Sequence, residues 1–394
     1  MSSTIKQAIL ALKSRIADAY TAISNKGGTL PATQDSANLA TAIASIPSGS
    51  EIKEEKDINF IDHTGIIVES YTFAEAALLE QLPSAKEYNG LTFVSWQFTL
   101  QEVLFYVGKH CPLNIGAYYN PTDNLTHIFI TIPNDNFTFA FTPYGIAYNG
   151  AEYIDWGDGN TTTAARSEVT HIYATAGKYE IKISSDLTKD NGKYTINSFS
   201  VSAAMCVRKI YLSTVCTSFN AAGCLEVEEI VCNGVDTFAA PTQTTSLKVI
   251  IEPSISGNFG SRMCRYMCAH HTNSATYGIE YAYNLRLIPP LGEGQTTISQ
   301  DYYRRLWNVK TIYIPSSVTT IGNTPFEDNY RLQDIYWYCS AVPTLPSASY
   351  IGGYMRSKYV VNMHILASLQ SAYEADTNWA ALMANSSFNF IADL

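Results

Sequence analysis

The sequence predicts a multidomain, mainly β chain with N-terminal helices, a small α+β domain, a β-sandwich, and a solenoid that ends in a cap. Three observations support this fold class. The 394 residues exceed what a single hydrophobic core usually serves. The stretch 153–159 joins a strand to a forced turn. Short strand-like segments then recur at steps of about 20 to 25 residues, which is typical of a solenoid.

Residues 1–50 are interpreted as a helical module for attachment or oligomerisation. Their apolar side chains recur at steps of three and four residues, as in a coiled-coil seam. The seam consists of Ile5, Ile9, Leu12, Ile16 and Ile23. A seam of fewer than about three heptads is marginal for an independent coiled coil. Folding back onto a second helix at Ser36–Ile46 is therefore an equal alternative.

Residues 57–133 are predicted to form a small α+β domain after a polar linker at 48–56. Ile58–Asp62 and Gly65–Val68 have the composition of two strands about a turn. A helix is expected from Thr72 to Leu82, and strands again from Leu113 to Ile132. The stretch is too short to form a deep catalytic cleft.

Residues 134–202 are predicted to form a β-sandwich around a turn whose residues are Asp155, Trp156, Gly157, Asp158 and Gly159. Glycine permits positive φ, and the short aspartate side chains accept hydrogen bonds from nearby amides. Trp156 is expected in the core. The two carboxylates could instead hold calcium, which prefers hard oxygen ligands, so calcium is the one cofactor considered.

Residues 203–345 are predicted to form the solenoid, and residues 346–394 its C-terminal cap. The strand-like segments are Arg208–Leu212, Glu228–Val231, Leu247–Ile251, Leu285–Ile288, Val309–Ile314 and Leu332–Tyr336. Each repeat of such an array buries its apolar edge against its neighbours. Tyr359–Val361, the helical segment Ser368–Ala375 and Trp379 resemble the strand, helix and tryptophan that close such arrays.

Composition and motifs narrow the function. The net charge is −10 and no run of Lys or Arg occurs, which argues against a nucleic-acid partner. No apolar segment is long enough for a membrane span. The spacing of Cys264 and Cys268 before His270 and His271 fits no familiar zinc site, and buried free thiols are expected instead. No catalytic constellation is recognisable, so the chain is not expected to be an enzyme.

Several segments resemble modules of known families. Tyr153–Gly159, His171-Ile-Tyr173 and Gly177-Lys-Tyr179 resemble the polycystic-kidney-disease-type (PKD) domain. Asn308–Gly322 looks like a BspA-type leucine-rich repeat. The segment 57–116 is similar to a module of bacteriophage and prophage tail proteins, and 16–29 resembles a leader of gut-phage virion proteins.

These resemblances imply a virion structural protein, made in the bacterial cytoplasm, that projects from the particle as a tail fibre or a head fibre. Its N-terminus would bind other virion proteins of the capsid or tail, in a homo-oligomer such as a trimer. Its outer domains would bind a host-surface glycan or protein, without membrane or nucleic-acid partners. Candidate glycan contacts are Tyr302, Tyr303, Trp307, Tyr336, Trp337 and Tyr338. Strand alternation is expected to bury half of them. The alternatives are a capsid decoration protein without a receptor role and a bacterial surface adhesin.

Overall fold

The structure is a computed structural model, and its chain divides into two compact units, Met1–Glu54 and Glu55–Leu394. It describes residues 12–13, 15–17, 19–20, 31–44, 53–144, 151–165, 167–184, 194–221, 223–233, 237–239, 249–251, 266–268, 287–288, 290–292 and 294–394. Most of the described elements are strands, arranged in several sheets with few helices. The prediction of a mainly β chain is therefore confirmed.

In the first unit, the described part of the leading segment is helical, and a second helix, α1, spans Leu39–Ala44. Tyr20 and Ala42 are buried together, and Ile16 packs against them. The Tyr20 hydroxyl donates a 2.7 Å hydrogen bond to the Asp35 carbonyl oxygen. The leading segment therefore contacts the second helix. Of the predicted seam, Ile5, Ile9 and Ile23 lie outside the described residues, and Leu12 is exposed.

The second unit begins with a small α+β sheet. Its strands are β1 Ile58–Ile61, β2 Ile67–Tyr71, β3 Leu91–Trp96 and β4 Leu113–Pro121, and its helices are α2 Phe73–Ala76 and α3 Leu100–Gly108. The strand order is β2-β1-β4-β3, with β1 and β4 parallel. Both helices begin with capping boxes, Thr72 with Glu75 and Thr99 with Glu102. Helix α2 is shorter than the helix that the sequence predicted at 72–82.

Two larger sheets follow. Their strands are β5 Thr126–Ile132, β6 Phe137–Tyr144, β7 Ala151–Asp155, β8 Thr161–Ala165, β9 Val169–Tyr173, β10 Gly177–Ser184, β11 Tyr194–Phe199, β12 Val207–Tyr211, β13 Cys216–Asn220, β14 Glu229–Val231 and β15 Thr237–Ala239; helix α4 is Val201–Ala204. The six-stranded sheet has the order β14-β12-β5-β10-β7-β8, and the five-stranded sheet has the order β15-β13-β11-β6-β9. The rings of Trp156, which directly follows β7 of one sheet, and of Phe141 in the other sheet lie 5.8 Å apart, within one shared core.

The strand pairing crosses two of the predicted domain boundaries. β5, which the sequence places in the small α+β domain, pairs with β10 and β12 in the six-stranded sheet. β12 and β13, which the sequence places in the solenoid, extend the two larger sheets. The physical reason is that an open strand edge accepts another strand, so the parallel array grows directly from the edges of both sheets.

The C-terminal part is a parallel stack of short strands. These are β16 Val249–Ile251, β17 Tyr266–Cys268, β18 Thr297–Ile298, β19 Thr311–Ile314, β20 Thr320–Ile321, β21 Asp334–Trp337, β22 Val361–Ile365 and β23 Phe388–Ile391. β19, β21, β22 and β23 form one parallel sheet in chain order. The buried Asn329 side chain links turns of the stack, accepting from Leu306 N and donating to Tyr303 O at 2.8 Å each.

Short helices close the end of the stack. They are α5 Ser349–Gly352, a 3-10 turn Ala367–Leu369, α6 Gln370–Ala375 and α7 Thr377–Met383. Trp379 is fully buried, its ring lies 5.3 Å from that of Trp337, and its Nε1 donates to the Pro343 carbonyl oxygen. Trp379 therefore seals the core of the last strands.

Among the described residues, no helix has the length and apolar character that crossing a membrane requires. The described cysteines whose side chains are placed are buried: Cys111, Cys206, Cys216, Cys224, Cys232 and Cys339. Burial raises the pKa of the Cys216 and Cys224 thiols to about 12. Cys264, His270 and His271 of the rejected zinc pattern lie outside the described residues.

Candidate binding groove

The six predicted glycan contacts differ in how far their side chains are buried. Tyr302, Tyr303 and Trp337 are buried to within 1% of complete enclosure. The prediction that these three contact a glycan is therefore wrong, because a ligand cannot reach them. In β21 the alternation that the sequence implied buries Ile335 and Trp337 and leaves Tyr336 half-buried.

Tyr338 has a structural contact of its own. Its side chain is buried, and its hydroxyl donates a 2.7 Å hydrogen bond to the carbonyl oxygen of Lys109. This contact removes it from the candidate set. Trp307 is 42% exposed, so a ligand at the surface can reach it. Its ring lies 5.9 Å from that of Tyr330.

Tyr336 lines a groove between the small α+β sheet and the parallel stack, which we name the junction groove. Its lining residues are Glu55, Lys56, Asp57, Phe73, His110, Pro112, Leu287, Asn308, Lys310, Thr311, Arg331 and Tyr336. Its volume is about 430 Å³, within the range of sites that hold small ligands. Both walls belong to the compact unit Glu55–Leu394.

A row of aromatic rings forms one side of the junction groove. The ring centroids of Phe73 and His110 are 5.5 Å apart, and His110 lies 6.4 Å from Tyr336 in a nearly parallel orientation. Behind the groove, the His364 ring stacks on Tyr336 at 4.3 Å. His364 is fixed by Asp393, 3.0 Å from its Nδ1, and Asp334, 3.3 Å from its Nε2. The Tyr336 ring is thus held in one orientation.

Polar groups line the rest of the junction groove. Arg331 Nη1 donates to Asn308 Oδ1 at 3.3 Å across one turn of the stack. The exposed Lys310 lies between them along the chain. Asp57 accepts from the backbone N–H of Phe73, so this carboxylate is engaged by the start of α2. The groove therefore offers planar amide and guanidinium donors beside aromatic rings.

The protonation states in the junction groove follow from its contacts. The hydrogen bond from Lys56 and the Thr72 backbone N–H lower the pKa of Glu75 to about 2, so Lys56 is held by an ionised partner. Burial raises the pKa of the Tyr336 hydroxyl, and the nearby Asp334 carboxylate raises it further. The Tyr336 phenol stays protonated near neutral pH and can donate a hydrogen bond.

The predicted turn 155–159 serves the fold. Asp155 Oδ1 accepts from Gly157 N, and Asp158 Oδ1 accepts from Asn160 N. Asp158 Oδ2 lies 2.7 Å from His171 Nε2, and the His171 ring stacks on Trp156 at 4.7 Å.

Protonation and packing agree with this capping role. Burial opposes the ionisation of Asp158, but the hydrogen bonds from His171 and Asn160 outweigh it and lower its pKa. The aspartate oxygens thus cap the turn, as the first interpretation predicted. Among the described residues, no group of three or more His, Cys, Asp or Glu is placed to hold a metal ion.

Of the six predicted contacts, Tyr336 lines the junction groove, but the sequence did not point to its neighbours there. His110 follows α3, whereas Asn308 and Arg331 belong to turns of the stack about 200 residues later in the chain. Such a convergence depends on how sheets pack. The 23-residue separation of Asn308 and Arg331 was a local signal, since it places them at equivalent positions of adjacent turns of the stack.

Comparisons with known proteins add no relative. No family model matches the chain, and neither a curated protein nor a solved structure matches it significantly.

Proposed function

We propose that this chain is a bacteriophage virion protein that projects from the particle as a tail or head fibre and binds a glycan of the host surface. Residues 1–50 attach it to capsid or tail proteins as part of a homo-oligomer, and the unit Glu55–Leu394 faces outward. The separation of the chain into two compact units supports this division of roles.

The proposal also includes a PKD-like domain and a set of BspA-like repeats in the unit Glu55–Leu394. Trp156, buried between two sheets beside a glycine-rich turn, supports a PKD-like domain. Parallel strands offset by 23 residues, with a helical cap around Trp379, support BspA-like repeats.

The observation that carries the glycan-binding role is the row of Phe73, His110 and Tyr336 along a polar groove. A pyranose ring has an apolar C–H face, which packs on aromatic rings, and equatorial hydroxyls that bond to planar side chains. Arg331 and Asn308 supply such planar groups. One site of this size binds weakly, and an oligomer multiplies its effect through avidity.

Binding of the labelled full-length chain to cells of the host bacterium tests this role. Wild-type chain should bind the cells, and surface polysaccharide extracted from them should compete. Changing Asn308 and Lys310 together to Ala should weaken binding on the order of tenfold, since interface energy concentrates in a few contacts. Lys358→Ala, which removes a surface lysine outside the groove, is the matched control.

The outcomes separate the competing functions. Equal binding by the groove variant and wild type would refute the groove as the receptor site. Incorporation into particles without any cell binding would favour a capsid decoration protein. Detection of the chain on bacteria that carry no phage would favour a surface adhesin.

A further inference from the structure

A second groove lies on the outer face of the six-stranded sheet, and we name it the sheet groove. Its lining residues are Phe129, Ile130, Thr131, Lys178, Tyr179, Glu180, Arg208, Lys209 and Glu228. Its volume is about 520 Å³, and it shares no lining residue with the junction groove. It is built from β5, β10, β12 and the residue just before β14.

The register of the sheet fixes the floor of the sheet groove. Phe129 on the central strand β5 lies directly opposite Glu180 on β10 and Lys209 on β12. The neighbouring Ile128 and Ile130 face the core, so Phe129 and Thr131 point outward. The ring centroids of Phe129 and Tyr211 are 5.1 Å apart in an edge-to-face arrangement, and this contact holds the Phe129 ring in place. The floor is therefore a fixed aromatic platform.

Positive side chains surround this platform in a chain whose net charge is −10. Lys178 is exposed, and its ammonium group has no hydrogen bond or ion pair to any residue that the structure describes. Arg208 uses Nη1 to bond the carbonyl oxygens of Met205 and Val207, which orients its guanidinium group. Lys209 is held by Glu229 at 2.8 Å. Lys178 and Arg208 thus remain able to bind an anion.

The sheet groove has two carboxylates, Glu180 and Glu228, and they differ in the side chains that they contact. Glu180 Oε1 lies 2.7 Å from His127 Nδ1, and His127 Nε2 lies 2.8 Å from Asp123. Glu180 is therefore held in place by a neighbour in the sheet. Glu228 is exposed, and its carboxylate contacts no other described side chain through a hydrogen bond or ion pair. Its negative charge would repel an anion bound in the groove.

We propose that the sheet groove binds an acidic saccharide, with the sugar face on Phe129 and the sugar carboxylate on Lys178 and Arg208. A charge-assisted hydrogen bond is stronger than a neutral one, and the guanidinium fork matches a carboxylate. The aromatic platform distinguishes this ligand from a free inorganic anion, which needs no apolar surface. This site is independent of the junction groove and of where the chain sits on a particle.

Titration calorimetry of the full-length chain with trigalacturonate tests the proposal, with maltotriose as the uncharged probe of equal length. Trigalacturonate should bind, and maltotriose should bind on the order of tenfold more weakly or not at all. Inorganic phosphate should not compete at the same concentration. Binding of phosphate as tight as that of trigalacturonate would overturn the saccharide assignment.

Four variants locate the site. Lys178→Gln and Arg208→Lys should each weaken trigalacturonate binding on the order of tenfold, the second because the fork is lost although the charge is kept. Glu228→Gln should tighten binding, because it removes a negative charge that lines the groove. Lys358→Gln removes an equal charge elsewhere and should leave binding unchanged. Loss of binding in Lys358→Gln, or no gain in Glu228→Gln, would contradict the proposal.

Discussion

The Tyr338 hydroxyl donates a 2.7 Å hydrogen bond to the carbonyl oxygen of Lys109, joining positions 229 residues apart in the chain. The Lys109 ammonium group in turn lies 4.5 Å from the centre of the Tyr338 ring. Nearby, the rings of Tyr106 and Tyr313 are 5.8 Å apart. The small α+β sheet and the parallel stack therefore share a boundary that orients the walls of the junction groove.

Removing the Tyr338 hydroxyl should weaken this boundary. Tyr338→Phe keeps the ring but leaves the Lys109 carbonyl oxygen without this donor, at an expected cost of about 1 kcal/mol. Urea unfolding followed by tryptophan fluorescence measures the change. Tyr336→Phe is the control, because it removes a half-buried tyrosine hydroxyl only two residues away in the chain. Equal loss in both variants would show that the 338–109 bond adds nothing specific.

Gly157 should be less tolerant of substitution than Gly159. Both have positive φ, so an alanine at either costs about 1 kcal/mol from backbone strain. A Cβ at Gly157 would also lie 2.5 Å from the Glu180 carbonyl oxygen, whereas a Cβ at Gly159 would meet nothing within 4 Å. Thermal unfolding of Gly157→Ala and Gly159→Ala compares them. A larger loss in Gly159→Ala would contradict the described turn.

Asn329 should be essential to the stack. It is fully buried and bonds two backbone groups of the preceding turn, so Asn329→Ala leaves both unsatisfied. We expect a loss of about 2 to 4 kcal/mol, measured by urea unfolding. Asn389→Ala, which removes an exposed bond to Asn362, should cost below about 0.5 kcal/mol. Similar midpoints for both variants would refute the role of Asn329.

His63 should make the protein less stable in mild acid. It is buried against Tyr88, Tyr119 and Tyr211, and its Nε2 lies 3.8 Å from Glu229. Burial lowers its pKa from 6.5, and the charges of Lys209 and Lys86 add to this. The carboxylates of Asp62 and Glu229 offset only part of the shift.

The sign of the effect follows from linkage. Because the folded pKa is below the unfolded one, the unfolded chain binds more protons, so stability is full above about pH 6.5 and falls as pH decreases through that value. The unfolding midpoint of wild type should fall more between pH 7 and pH 5.5 than that of His63→Gln. Parallel pH profiles for the two proteins would contradict this assignment.

The sequence allowed the local features to be predicted better than the long-range ones. The turn at Asp155–Gly159 follows from glycine and aspartate chemistry within a few residues, and the structure places Trp156 in the core. Alternation also anticipated that some aromatic candidates would be buried. The assignment of β5 to the second sheet could not be predicted, because strand pairing depends on packing against distant partners.

In the candidate site, too, the features that depend on long-range packing could not be predicted from the sequence. The sequence named Tyr336 only as one of six aromatic candidates, and alternation did not say which of the six are accessible. His110 has no local signal, since its place beside Tyr336 depends on the packing of the small sheet against the stack. The sheet groove was missed because its charged residues come from three strands whose pairing the sequence did not reveal.

Electron cryo-microscopy of virions that carry this chain tests the central claim most directly. We predict density projecting from the tail or capsid, with the unit Glu55–Leu394 outermost. Particles made with a chain that lacks residues 1–50 should lose that density, while the truncated chain remains folded in the lysate. Purified particles that contain no copy of the chain, or that keep the density after the deletion, would contradict the account.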